Sequence, residues 1–524
     1  MNSLLRLAAV RAALSCLATA PARAAWYEAK SKHFIIDANE NPDELRAYAQ
    51  KLERFDQAVR YFYQMPDPPL TDAGRVTIFV VPDVESIQAL MPNSGAAGFY
   101  RTAASGSFAF IPHTTDFTIQ GMSGGTGVFH ETLSPQEIFF HEYPHHLQLQ
   151  DSTVALPMWV AEGYAEFFAT ADINKDGSVT FGKFPAYRSW GVHDRDSITM
   201  EEIVGETFGN TLYSYQMDTL YGRAWLLVHY LMMTESRHGQ LGRYVDDINK
   251  GMSALDAGKA AFGDLKQLDR DLDAYLAPHK LLGVTVSPDV LSVGDIAVRP
   301  LNPAESAIVH ARMRSKAGVT ESTAPSIAAE ARGVAAKFPT DPSVQSALAE
   351  AELDAKNYAA ASTAADAALA ADPKNVRALI YKGRAQMELA KANAKSADWD
   401  GVREWFLKAN KLDTENAEPL FLFYRTYAEA RQPLTQNAVD ALLYAVELAP
   451  QDYDARITAV GQLLAENKLD EAKSMFAPVA FRPHADQQSR EQGKKIMDAI
   501  VAGDSKLALK LLQEPHPGTK TASK

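Results

Sequence analysis

Residues 134–170 read SPQEIFFHEYPHHLQLQDSTVALPMWVAEGYAEFFAT. Ser134 suits a helix N-cap, Pro135 suits the first helical position, and Glu137 completes an S-x-x-E capping box. Ile138, Phe139 and Phe140 supply apolar surface. His141 and His145 then fall at i and i+4, on one helix face, where two imidazoles can meet one metal ion. Glu142 lies beside the first of them and is placed to polarise a metal-bound water. A second helix starts at Pro157 with the apolar run Met158-Trp159-Val160. On it Glu162 and Glu166 are four residues apart, so their carboxylates face the same way. Glu162 is the candidate third ligand, and Glu166 is placed to hydrogen-bond the back of a ligand histidine and fix its tautomer. Pro144 conflicts with this pattern. It offers no N–H to the carbonyl of Phe140 and crowds it, at about 3 kcal/mol, so a kink is expected between the two histidines. A short H-E-x-x-H also arises by chance. The plain alternative is a half-buried histidine pair, with Glu162 and Glu166 as solvated charges.

HEYPHH followed by PMWVAEGYAEFF resembles the gluzincin zinc metallopeptidases. The likeness is to the peptidase-MA-like branch of bacterial exported proteins with tetratricopeptide repeats. There H-E-Y-T-H-H and W-x-x-E-G-x-A-E are the usual forms. The resemblance implies an α+β zincin-like domain that holds Zn2+ through His141, His145 and Glu162 and hydrolyses peptide bonds with Glu142 as general base. It implies that Glu166 supports a ligand histidine. Pro144 stands where that branch usually has Thr. In related gluzincins a tyrosine at the head of a helix donates to the tetrahedral oxyanion. Tyr221, in LYGRAWLLVHYLMM (Leu220 to Met233), is the candidate, with Tyr213 and Tyr215 as competitors. Each is equally readable as a tyrosine packed at a helix start.

At 524 residues the chain is too long for one core, so two to four domains are expected. A net charge of −13 and the lack of a basic stripe argue against a nucleic-acid partner. Residues 1–24 read as a signal peptide, with Arg6 ahead of an apolar stretch and Ala22-Arg23-Ala24 as the cleavage site. The single cysteine, Cys16, lies within it, so the mature chain is cysteine-free and compatible with an oxidising compartment. A periplasmic or secreted location follows. No later stretch is apolar enough to span a membrane.

Residues 25–125 alternate strand and helix signals and are read as an α/β sublobe. Lys32 to Asp37 is strand-like, Asp43 to Tyr63 is an amphipathic helix, and Arg75 to Val81 is a buried strand. Ser107 to Ile111 is a further strand. By the resemblance it is the edge along which an extended peptide lies, and otherwise a plain core strand. Residues 126–280 are expected to be mainly helical, with Ala260 to Tyr275 as one closing helix. His130-Glu131 begins another H-E, but the fifth residue is Ser134. Asp172 to Gly177 starts like an EF-hand loop, yet Lys183 stands where a bidentate Glu belongs, and Asp176-Gly177 reads as a hairpin turn.

Residues 281–318 are read as a connector with short β elements, and 319–514 as tetratricopeptide-like repeats. Pro339 and Pro373 set a period near 34, with an insertion expected at Lys391–Asp398. Ala349, Ala361 and Ala368 fall where close helix packing wants small residues. Such arrays present a concave groove that binds peptide or protein, or serve only as a frame. Residues 515–524 are read as a disordered tail.

The sequence thus predicts an α+β zincin-like metallopeptidase domain over 25–280, followed by an all-α repeat solenoid. The partners are a peptide or protein substrate and a protein held by the repeats. The alternative is a weak or inactive pseudo-peptidase acting as a repeat-based interaction scaffold.

Overall fold

The computed structural model describes residues 26–91, 97–113, 118–120, 130–132, 134–151, 154–208, 212–277, 281–392, 394–480 and 487–514. The predicted signal peptide and tail lie outside these residues. The first unit is built on a sheet of β1 (Tyr27–Lys30), β2 (Phe34–Ala38), β3 (Val76–Val81), β4 (Phe99–Ala103), β5 (Gly106–Pro112) and, from far along the chain, β11 (Ala297–Pro300). The strand order is β11-β1-β2-β3-β5-β4. β2, β3 and β5 are parallel, while β1, β4 and β11 pair antiparallel with their neighbours.

The near-continuous apolar run of β3 is explained by burial on both faces. Ile78 and Val80 join a core with α1 (Pro42–Tyr63), α3 (Pro135–Asp151), α4 (Met158–Ala169) and α7 (Ser214–Met233). Phe79 and Val81 face the other way, with Phe108 and Phe110 of β5. They pack against Ile87 of α2 (Val84–Leu90) and Val309 and Met313 of α11 (Pro303–Ala317). Two small sheets complete the unit: β6 (Thr118–Gln120) with β7 (His130–Thr132), and β8 (Asp172–Ile173), β9 (Val179–Phe181) and β10 (Val284–Val286). Short helices α5 (Ser189–His193), α6 (Met200–Gly205), α8 (Gln240–Asn249) and α10 (Leu265–Leu276) pack around α7, and α9 (Ala254–Phe262) packs on α6, α8 and α10.

The second unit is a stack of six helix pairs. The first is α11 with α12 (Ala324–Ala335). Then come α13 (Pro342–Asp354) with α14 (Tyr358–Ala371) and α15 (Val376–Lys391) with α16 (Trp399–Leu412). The last three are α17 (Ala417–Ala430) with α18 (Gln436–Leu448), α19 (Tyr453–Ala465) with α20 (Leu469–Ala480), and α21 (Gln487–Val501) with α22 (Ser505–Gln513). Ala349, Ala361 and Ala368 are fully buried, so neighbouring helix backbones approach closely. The expected insertion falls in the loop between α15 and α16.

Five expectations need correction. Residues 281–318 do not form a separate connector: β10 and β11 join sheets of the first unit, and α11 opens the repeats well before residue 319. Ser107–Ile111 is not an edge, because β5 lies between β3 and β4 and the edge is β4. The predicted helix over Ala260–Tyr275 is two helices, broken at Gly263, whose φ of +86° suits glycine. Tyr221 is not at a helix head, because α7 begins at Ser214. Finally, α3 runs unbroken through Pro144. Phe139, Phe140, Tyr143 and Leu147 of α3 are buried to within 2%. Each contributes about 1.5–3 kcal/mol, which together outweighs the proline penalty.

Candidate metal centre

The site lies between α3 and α4. The predicted capping box starts α3: Glu137 N–H donates to Ser134 Oγ at 3.1 Å, and Ser134 N–H donates to Glu137 Oε2 at 2.7 Å. α4 has no side-chain cap of its own at Pro157, and Glu206 fills that role by accepting the N–H of Met158. Burial, opposed by these N–H groups, pushes the Glu206 carboxyl up to about 7. Gly163 lets α4 lie against α7, since a Cβ there would meet Ala224 O at 2.7 Å.

This packing brings His141, His145 and Glu162 together, with one donor atom from each within 4.8 Å of the others. His141 Nε2 is 3.4 Å from Glu162 Oε2, and His145 Nε2 is 3.5 Å from it. Bonds of about 2.1 Å at tetrahedral angles separate donor atoms by about 3.4 Å. The spacing and the two-imidazole, one-carboxylate donor set therefore fit zinc. Glu162 is fully buried.

Glu166 is also fully buried and lies behind His141, with Oε1 at 3.4 Å from Nδ1. It is held by groups that the sequence reading missed. Arg188 Nε donates to Oε1 at 3.0 Å and Tyr187 Oη to Oε2 at 2.7 Å. Arg188 in turn donates to Asp218 at 3.1 Å. Burial raises the Glu166 carboxyl, but Arg188, then His141 and Tyr187, outweigh it and bring it to about 2. Burial works against charge on His141, while Glu162 and Glu166 more than offset it and lift the imidazole to about 10. No spacing rule links residue 188 to residue 166, so this support was invisible in the sequence.

The Tyr221 ring is centred 6.1 Å from that of His141, and the Arg188 guanidinium lies 4.9 Å over it. Burial, then Glu162, with Glu142 among the lesser charges, holds its hydroxyl well above the ordinary tyrosine range. Tyr213 and Tyr215 instead stack on each other at the surface, 66% and 42% exposed. Glu142 is half-buried on α3.

A second tyrosine, Tyr100, reaches α3 at His146. Tyr100 Oη, on edge strand β4, is 2.5 Å from His146 Nδ1, and Gln150 Nε2 is 2.9 Å from His146 Nε2. Burial, then the charges of Arg60 and His33, push His146 down to about 3, so it is neutral. A proton on Nδ1 satisfies both contacts. The doubled histidine of HEYPHH was the sequence signal for this pair.

His130 and Glu131 lie in strand β7. Asp176 Oδ1 accepts the N–H and Oγ–H of Ser178, closing the β8–β9 hairpin at Gly177. In a second cluster, His33, Glu53 and Asp56, one donor atom from each also lies within 4.8 Å of the others. It is already satisfied internally: His33 Nδ1 is 2.8 Å from Glu53, Nε2 is 2.8 Å from Asp67, and Arg60 and Tyr143 both donate to Asp56.

No family model matches the sequence, and no curated protein matches it. Among solved structures the chain is similar to TTC0263, a thermophilic TPR protein of Thermus thermophilus, at 17% identity and a TM-score of 0.29, covering 36% of this chain and 92% of that one. It is also similar to yeast Tom70, at 13% identity and a TM-score of 0.26, covering 60% of this chain and 68% of that one. The repeat architecture of the second unit rests on its own stacked helix pairs.

Proposed function

We propose that the first unit is a zinc-dependent peptidase. The observation that carries this reading is the buried His141–His145–Glu162 trio, with donor atoms at the mutual spacing of zinc ligands. When bound, zinc supplies a Lewis acid that acidifies water and polarises a carbonyl. Glu142 takes a proton from the attacking water and passes it to the leaving amine. Tyr221 donates a hydrogen bond to the developing oxyanion. Glu166, clamped by Arg188 and Tyr187, holds the His141 ring so that Nε2 faces the metal. The substrate is a peptide or protein, and the segment 1–24 is read as directing export to the periplasm or outside. The test is zinc-dependent cleavage of unfolded polypeptide, abolished by Glu142→Gln with zinc retained. Zinc-loaded parent protein that cleaves nothing would refute the reading.

A second reading is a protein-interaction scaffold with a weak or inactive metal site. It is favoured by a cavity of about 660 Å3 between the β4–β5 turn and the array, lined among others by Ala104, Asp354, Asp452, Arg384 and Phe421. A partner captured equally well by the parent and by His145→Ala would support it. No helix among the described residues is long and apolar enough to cross a membrane.

A further inference from the structure

The repeat array packs against the first unit. Ala104, at the tip of the β4–β5 turn, is buried in a cluster with Ala417, Phe421, Ala455 and Ala459 of α17 and α19. Three contacts fix the start of α19. The Asp452 carboxylate accepts the N–H of Ala104 while also capping α19 through the N–H groups of Asp454 and Ala455. Gln451 Nε2 donates to Ser107 Oγ of β5 at 3.2 Å. Arg456 Nη2 donates to the carbonyl of Leu149, near the end of α3, at 3.2 Å. One helical turn of the array therefore bridges the β4–β5 turn, the start of β5 and the helix that carries His141 and His145. Further along, Lys473 donates to Asn249 O, and the Arg490 guanidinium lies over Phe208, which extends the same contact past the start of α4.

Among the described residues β4 pairs only with β5, so its outer edge offers the backbone groups that an extended peptide pairs with. Tyr100 marks the level of the site on that edge, because it touches His146, the residue after His145 on α3. From Tyr100 to Ala104 is four residues, about 14 Å of strand at ~3.4 Å each. On α3, His145 to Leu149 is about 6 Å of helix. Tyr453, the first residue of α19, directly follows Gln451 and Asp452, which hold this end of the array against Ser107 and the β4–β5 turn. A peptide lying along β4 thus meets α19 after about three or four residues.

We propose that the turn between α18 and α19 closes one end of the metal cleft, so that the enzyme acts on short peptides and on the ends of unfolded chains rather than on chain interiors. This rests on the peptidase reading above and adds the length limit to it. The array then serves as part of the cleft, with Tyr453 as the residue that sets the limit.

The test uses the zinc-loaded full chain and synthetic peptides of 3 to about 20 residues, with products read by mass spectrometry and zinc measured in the same samples. Cuts are expected within about four residues of one end, the same end in every peptide. Longer extension on that side is expected to lower kcat/KM about 100-fold or more. Tyr453→Ala should move the limit outward by about one residue, and Tyr453→Trp should move it inward, both with zinc content unchanged. Cuts in the middle of the 20-residue peptides, or one cleavage map for parent and both variants, would overturn the proposal and leave the peptidase reading intact. Absence of zinc, or zinc-loaded protein that cuts no peptide, would overturn the peptidase reading and the length limit with it.

Discussion

Glu166→Gln keeps the shape of the side chain and removes its charge. In the parent, Glu166 is fully buried, accepts from Arg188 and Tyr187, and faces His141 Nδ1 at 3.4 Å. Two losses follow. Breaking a buried ion pair costs about 3–5 kcal/mol. Arg188 keeps Asp218 at 3.1 Å and is 18% exposed, so roughly 2–3 kcal/mol is the expected loss here. The second loss is at the metal, where removing the partner that orients a ligand histidine weakens affinity about 10–100-fold. At fixed zinc this reduces metal-induced stabilisation by about 1.4–2.7 kcal/mol. Competition with a zinc-binding dye reads the affinity, and thermal melts with and without zinc read the stability. The Glu166 carboxyl is depressed from 4.5 to about 2, so its contribution is present above pH 4.5 and is lost as pH falls toward 2. The stability gap between parent and variant should narrow over that window. A folded Glu166→Gln protein that binds zinc as tightly as the parent would refute the orienting role.

Tyr221→Phe should lower kcat about 10²–10³-fold with zinc affinity unchanged; a loss under threefold in steady-state assays would remove the tyrosine from the mechanism. Gly163→Ala forces a methyl to within 2.7 Å of Ala224 O and Val228 Cγ2, so a loss of about 1–3 kcal/mol in denaturant melts is expected, together with weaker zinc binding as Glu162 shifts. His33 is raised: burial opposes its charge, but Asp56 and Glu53 more than offset it. Its contribution is therefore complete below about pH 6.5 and is lost as pH rises through the folded value. His33→Gln should melt lower at pH 6, and its Tm should fall less than the parent's as pH rises above 6.5. Pro144→Thr restores an N–H to α3, so zinc stoichiometry should be unchanged and stability higher by about 1–3 kcal/mol, read by chemical denaturation.

The candidate centre was legible because its determinants are local. An i,i+4 pair, a capping box and two glutamates on the next helix are all spacing rules within 37 residues, Ser134 to Thr170. What supports the centre was not legible. Arg188, Tyr187 and Tyr100 reach it through tertiary packing, and nothing in their own neighbourhoods marks them. The same limit explains the strand order. Ser107–Ile111 reads as strand, but whether it is edge or interior depends on β4, which pairs across the Gly106 turn. The kink expected at Pro144 was a valid local cost, outweighed by the burial of Phe139, Phe140, Tyr143 and Leu147. The helix pairs were readable from their period, whereas the joining of 297–300 to β1, from the far end of the first unit, was not.

The central claim is that His141, His145 and Glu162 hold one zinc ion. It is tested most directly by metal analysis of the purified protein after dialysis against a weak chelator, beside His145→Ala and Glu162→Ala. The account predicts about one zinc per parent chain, and almost none in either folded variant. A folded parent that takes up no added zinc, or variants that retain it, would contradict the account.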